Sequence, residues 1–275
     1  EVLLFVNEYR PGDEAIPGIV DRKITPGAKL FFASGQYLEV IHQEEERFFF
    51  RASLPPDALF AEIEREGVMP IPPYIKHSPL SETELRTKYQ TVFAKRPASV
   101  AAPTASLHFT DRIFADLDQR AIGRTFVTLH VGAGTFAPIS EKNFSERRLF
   151  REYYEISDQA AREIEGAQAE AKIIIPVGTT ACRTIESAAV PRTDARAHVV
   201  APGSRATEIF IFPPYEFKIA GGLLTNFHIP RSSLMLLVDA FLAHKHSKRR
   251  VLELYKVAIA ERFRFYSFGD AMLIL

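Results

Sequence analysis

The feature that most constrains the fold is a change of period part-way along the chain. Up to about residue 51 the apolar residues come in short runs broken by turns, whereas beyond residue 77 strands alternate with helices of about 10 to 15 residues. The two patterns meet at Met69-Pro70-Ile71-Pro72-Pro73-Tyr74-Ile75, where the prolines fix an extended connector. Ahead of it, residues 1–8 are apolar, Pro11-Gly12 and Pro26-Gly27 are turn dipeptides, and 28–34 reads as a strand ending in a Ser34-Gly35 hairpin turn. Residues 37–43 and 47–53 form a further pair across the solvated Glu44-Glu45-Glu46, and 57–66 is a short helix ended by Gly67. Short strands at this spacing predict a β-barrel-like domain over 1–76.

Over 77–275 the alternation argues a layered α/β domain. Ser81-Glu82-Thr83-Glu84 is a capping box, and Thr110-Asp111 caps a helix that stops at Gly123. Residues 125–131 read as a strand, 158–170 as an amphipathic helix, 172–177 as a buried strand and 180–189 as a helix. Strands are expected again at 208–212 and 223–227, and the last helices at 232–243 and 248–262. Residue 1 is Glu, and Glu1-Val2-Leu3-Leu4-Phe5-Val6 already reads as the inside of a strand, so further sequence is expected ahead of it.

Composition narrows the function classes. With 275 residues, 47% of them hydrophobic and 25% charged, the chain can build a full core, and a single cysteine, Cys182, excludes a disulfide framework. No apolar run approaches the ~18 to 20 residues of a membrane span and no charged-then-apolar leader opens the chain, so a cytoplasmic protein is expected. The formal net charge is zero, but residues 1–76 hold 8 Lys plus Arg against 13 Asp plus Glu, net −5, and the remainder 26 against 21, net +5. One face of the second part can then attract phosphate while the first part does not.

Four stretches carry residues that structure alone would not demand. Pro103-Thr104-Ala105-Ser106-Leu107-His108-Phe109-Thr110 leads into a helix, so its hydroxyls and amides can receive an anion, or it is a capped turn with a hydrogen-bonded histidine. Thr128-Leu129-His130-Val131-Gly132-Ala133-Gly134-Thr135 runs a strand into a glycine turn that admits a ligand close to backbone; Ala137 and Pro138 rule out a dinucleotide fingerprint. Pro176-Val177-Gly178-Thr179-Thr180 joins strand to helix where open α/β sheets bind ligands, with Cys182 either an activated thiolate or a packed small residue. Leu224-Thr225-Asn226-Phe227-His228-Ile229-Pro230 ends a strand in three polar groups, as a site or as a helix cap. No phosphate loop, His-Glu-x-x-His, cysteine pair or Gly-x-Ser-x-Gly elbow occurs, so metal, kinase-like and esterase readings lose ground together. His108, His130 and His228 can move protons near neutral pH, which points to acid–base chemistry without a metal.

As an ordered set, these stretches resemble a known family. The connector at 69–75, Tyr89-Gln90-Thr91-Val92-Phe93-Ala94, residues 101–110, 127–136, 177–187 and 224–234, and Arg264-Phe265-Tyr266-Ser267-Phe268-Gly269-Asp270-Ala271-Met272 are similar to the signature blocks of the S-adenosylmethionine:tRNA ribosyltransferase-isomerases of queuosine biosynthesis. The resemblance implies a layered α/β domain with a small inserted antiparallel β-barrel domain. It also implies a cofactor-free, monomeric cytoplasmic enzyme with two substrates, S-adenosylmethionine and tRNA. The ribose of S-adenosylmethionine is added to 7-aminomethyl-7-deazaguanine at the wobble position, adenine and methionine leave, and epoxyqueuosine is the product.

Under that resemblance His108, His130 and His228 are the candidates for proton traffic. Thr104, Gly132, Gly134, Thr135, Thr179, Thr180, Arg183, Thr225 and Asn226 are the candidates for substrate binding, and Arg264 with Asp270 orders the site by an ion pair. Arg147, Arg148, Arg151, Lys248, Arg249 and Arg250 are RNA-phosphate candidates, or solvated charge. The chain departs from the family pattern in places: a preceding segment with Asn-x-Thr-Arg-Val is absent, and Arg147 and Phe150 stand where two His are usual, with only Glu152 matching. Ser106 and Pro214 replace glycines, and Gly221 or Gly222 an Asp. A relative that binds tRNA or a nucleoside without turnover, and an S-adenosyl-nucleoside lyase, are the competing readings.

Overall fold

Strands of alternating character build the first part of the protein. In the computed structural model, which describes residues 2–6, 9, 12–44, 47–72, 74–95, 99, 101–132, 139–192 and 198–275, strands β1 (Val2–Leu4), β2 (Ile16–Val20), β3 (Lys29–Phe31), β4 (Tyr37–Glu44) and β5 (Arg47–Ala52) form one antiparallel sheet in the order β1-β2-β5-β4-β3. Ile16, Leu38, Val40, Phe48 and Phe50 point to one face and are buried, with Leu59 of helix α1 (Pro56–Glu66) packed among them. The intervening residues turn outward, as a period of two requires. A register shift between Val40 and His42 brings His42 opposite Phe49. A Cβ on Gly18 would lie 2.7 Å from the Leu3 carbonyl, so only glycine lets β1 pair there. The ladders leave β1 and β3 as edges, so the expected barrel takes the form, among the described residues, of an antiparallel sheet with two edges.

The first compact unit comprises residues 1–90 and 94–102, and the second 91–93 and 103–275. Helix α2 (Glu82–Lys88), opened by the Ser81/Glu84 capping box, falls in the first unit, beyond the expected division near residue 76. The physical reason is polar anchorage: Glu82 accepts from the Met69 N–H at 2.7 Å, and Arg86 donates to the carbonyls of Glu64, at 3.0 Å, and Gly67.

In the second unit β6 (Thr128–His130), β7 (Arg148–Ile156) and β10 (Gly203–Ile209) form an antiparallel sheet in the order β10-β7-β6. Two antiparallel pairs accompany it, the sequence-adjacent β8 (Ala189–Pro191) and β9 (His198–Val200), and β11 (Leu223–Asn226) with β12 (Ala271–Ile274), between which two helices intervene. The helices are α3 (Asp111–Gln119), α4 (Glu141–Glu146), α5 (Asp158–Ala169), α6 (Gly178–Ser187), α7 (Ser233–His244) and α8 (Val251–Ala260). The fold is thus mixed α/β with several sheets. Leu237, Val238, Ala240 and Phe241 of α7 are almost wholly inaccessible and form the centre of this unit with α8. Among the described residues no helix is long and apolar enough to cross a membrane.

Two expected strands are corrected. Residues 172–177 make no strand beyond a parallel bridge from Val177 to Leu224; the Ile174 and Pro176 carbonyls accept from 221–224 on one side only, and Ile173 is 63% exposed. The apolar run 208–212 is mostly not strand either. The more polar 203–209 pairs with β7, and Phe210 and Phe212 pack as side chains against Phe144. Pairing partners, which are non-local, override the apolar pattern in both places.

Candidate active site

Four of the family-like blocks, 101–110, 177–187, 224–234 and 264–272, meet in the second unit. A 3₁₀ turn at Thr104–His108 packs on β11 and on the start of α6, where Ser106 Oγ lies 3.5 Å from the Val177 carbonyl. Gly178 sits at φ +90°, a left-handed position that favours glycine, and a Cβ there would touch Ala105. Val177 bridges to Leu224, and at the end of β11 the Asn226 side chain donates to the Tyr266 carbonyl at 2.8 Å while Tyr266 N–H donates to the Phe227 carbonyl at 2.7 Å. The last block is closed on itself by Arg264, which donates to Asp270 from its backbone N–H at 2.6 Å and from its guanidinium at 2.9 Å. Hydrogen bonds from Arg264 hold the Asp270 carboxyl below the usual carboxylate range, and the charge of His108 adds to this in a small way, so His108 is within electrostatic reach of the pair.

Two polar atoms at this convergence are buried and lack a hydrogen-bond partner among the described residues: His108 Nε2 and Asn226 Oδ1. Such atoms are rare in folded proteins and cost about 1 to 3 kcal/mol each unless a ligand completes them. His228 lies close by along the chain. Its Nε2 is 2.8 Å from Thr225 Oγ1, and its backbone N–H donates to the Tyr255 hydroxyl at 2.9 Å. The ring retains partial solvent contact but is hemmed in by protein, and this desolvation pushes its pKa down to about 4. At neutral pH it is therefore an uncharged imidazole that can accept a proton. Tyr255, whose ring packs edge-on against Phe227 and Phe265, stays protonated, its pKa pushed up to about 12 by burial.

Arg183 does not stand ready for an anion. Its Nη2 is 2.5 Å from Glu152 Oε2 of β7, with both side chains under a tenth exposed, although its Nε has no hydrogen-bond partner among the described residues. His130 is also set apart. It pairs opposite Tyr153, while Leu129 pairs opposite Tyr154. Leu129, Tyr154 and Glu152 are buried together, so strand alternation puts His130 on the other face of the sheet from the Glu152–Arg183 pair. Thr179 and Thr225 are buried, and Thr104 and Thr180 are half-buried. Gly132 has open space where a Cβ would be, and Gly134 and Thr135 lie outside the described residues.

The six basic candidates fare differently from one another. Arg148 meets Glu146 at 2.7 Å, Arg151 meets Glu208 at 3.1 Å, and Arg147 lies over the Phe212 ring, 4.7 Å from its centroid. Arg250 clamps Asp239 and helps start α8, whereas Lys248 and Arg249 are exposed. Sequence reasoning missed two residues that organise this unit, Tyr255 and Glu186, and noted Glu152 only as a match to the family pattern. Glu186 is buried and accepts from the backbone N–H groups of Lys218, Ile219 and Ala220, each at 2.9 Å. Among the described residues no group of three His, Cys, Asp or Glu is placed to hold a metal ion.

Among known proteins, the family model described as queuosine biosynthesis protein matches residues 4–274 of the chain. The chain belongs to the queuosine biosynthesis protein family. A relative named S-adenosylmethionine:tRNA ribosyltransferase-isomerase from Thermosynechococcus vestitus is 44% identical over 256 residues, 92% of this chain and 68% of that protein. One of the same name from Rubrobacter xylanophilus is 42% identical over 274 residues, 99% of this chain and 74% of the relative. A third, from Ralstonia nicotianae, is 46% identical over 226 residues, 82% and 60% of the two chains. The chain thus spans between 60% and 74% of the length of these queuosine-family relatives. A crystal structure of S-adenosylmethionine tRNA ribosyltransferase from Thermotoga maritima is 25% identical, covering 100% of this chain and 78% of that one, with a TM-score of 0.46.

Proposed function

We propose that this protein transfers and isomerises the ribosyl group of S-adenosylmethionine onto 7-aminomethyl-7-deazaguanine at the tRNA wobble position, in the cytoplasm and without a cofactor. The observation that carries the reading is the pair of buried, unpartnered atoms, His108 Nε2 and Asn226 Oδ1, set where four family blocks meet and beside a neutral His228. The sulfonium of S-adenosylmethionine acidifies the C5′ proton, so a positioned neutral imidazole can remove it, and adenine leaves more readily when an acid protonates it. His228, neutral and hydrogen-bonded to Thr225, suits the base; His108 is the partner with an open ring nitrogen; Asn226 Oδ1 can accept from an N–H of the substrate. Thr179 and Thr180, in the first turn of α6, suit the methionine carboxylate, since that helix start has no side-chain cap. Arg183 acts through Glu152 as a positioning residue, and His130, on the other sheet face from that pair, has no step in the proposed proton transfers. The antiparallel sheet of the first unit is the barrel-like insert of the layered α/β scaffold, and the protein acts as a monomer.

The test is adenine release from S-adenosylmethionine, with and without tRNA bearing the 7-deazaguanine amine. Release that requires that tRNA is the expected result, and His228→Ala and His108→Ala should each lower turnover about a hundredfold. Release without tRNA would indicate a nucleoside lyase. Binding without release would indicate a non-catalytic relative, a reading kept in play by Arg147 and Phe150 standing where histidines are usual in the family.

A further inference from the structure

We propose that the outward face of the β3–β4–β5 sheet in the first unit is a stacking platform for unpaired RNA bases, engaging the loop of the tRNA substrate. Register and alternation place the residues. Phe31 is opposite Tyr37, Lys29 opposite Glu39, and Glu39 opposite Arg51, so these five side chains share the face turned away from Leu38, Val40 and Phe50. Phe31 is 67% exposed on a three-residue edge strand, a large apolar ring that no packing requirement of the sheet explains. It meets Tyr37 in a tilted contact at 56°, which uses an edge of one ring and leaves a ring face open. The Lys29 ammonium lies 4.2 Å from the Tyr37 ring centroid, and further along the same face His42 stacks on Phe49 at 4.3 Å and 9°.

Aromatic rings interleaved with cations on an exposed sheet face are what single-stranded nucleic acid needs: every base offers a π-face for stacking, and the cations meet phosphates. The local charge favours this occupant. Residues 1–76 are net −5, yet this face carries Lys29, Arg47 and Arg51 against Glu39 and Glu44, the latter 3.5 Å from His42. A paired RNA stem offers no open base faces, so the platform selects the loop.

The inference rests on tRNA being the substrate, and the experiment separates the two. Binding of the full chain to a labelled anticodon stem-loop RNA and to a fully paired RNA of the same length is measured by anisotropy, beside adenine release with tRNA. Phe31→Ala with Tyr37→Ala should weaken stem-loop binding at least about fivefold and leave duplex binding unchanged, since one stacked base contributes at least that factor. Lys29→Glu should weaken stem-loop binding too, and Val68→Ala, which removes an exposed apolar side chain elsewhere in the unit, should not. Circular dichroism confirms that each variant is folded. Stem-loop affinity unchanged in both the double variant and Lys29→Glu overturns the platform, even if adenine release proceeds; a protein partner would then be the face's occupant. Platform-dependent binding with no adenine release from the parent chain keeps the platform and removes the proposed reaction.

Discussion

His228 is the base in the proposed reaction, and its environment makes a measurable demand on stability. The His228 pKa falls from 6.5 to about 4 on folding, so between these values the unfolded chain binds a proton that the folded chain does not. Stability from this source is complete above pH 6.5 and is lost as the pH drops toward 4, by about 3 kcal/mol. Urea unfolding across that window should show the loss, and His228→Gln should remove it; a variant with the parent's pH dependence would assign the effect to another group. The Glu152–Arg183 pair makes the opposite kind of demand. Two charges under a tenth exposed are retained although an apolar pair of like volume would often fold as well, which fits a role in orienting groups rather than in holding the fold. His228 was legible as a candidate because it sits in a polar strand end. Tyr255 was not, since a tyrosine in an apolar helix reads as core and its acceptor role toward His228 spans 27 residues.

At the scale of elements, the stretch between β10 and β11 depends on a single carboxylate of α6. Glu186 gathers three consecutive backbone N–H groups at 218–220 and the Tyr215 hydroxyl at 3.3 Å, so this stretch is held by side-chain acceptance rather than by a ladder. Glu186→Ala leaves those donors unpaired and should lower unfolding free energy by about 3 kcal/mol; Glu186→Gln should recover part of it. A loss under 1 kcal/mol in denaturant melts would mean that water replaces the carboxylate. Strand β7 shows why elements can hide in sequence. Its inward face, Glu152, Tyr154 and Ile156, does alternate, but a buried glutamate at the first of these positions and arginines at 148 and 151 disguise it as a basic loop. The helices α5, α7 and α8 were legible within a few residues, because caps and apolar spacing are local signals.

On the scale of the whole molecule, charge placement separates from charge count. Arg148, Arg151 and Arg250 have acidic neighbours, so of the basic candidates Lys248 and Arg249 are the pair to test for an RNA contact. Replacing both with alanine should flatten the slope of log affinity for tRNA against log salt by about 0.7 to 1 per residue, while Arg148→Ala should leave it nearly unchanged. Equal slopes for parent and Lys248/Arg249 variants would remove them from the RNA interface. By itself the sequence determined that the chain has a β part and an α/β part, which helices form, and which short blocks carry polar groups beyond structural need, since each of these rests on spacing within a few residues. Only the tertiary structure decided which strands pair, that His130 lies on a different sheet face from the Glu152–Arg183 pair, that Arg183 is spent on Glu152, and that His108 and Asn226 are left with open valences. Those outcomes depend on partners tens of residues away, and burial, which sets both pairing and pKa, has no local signature in the chain.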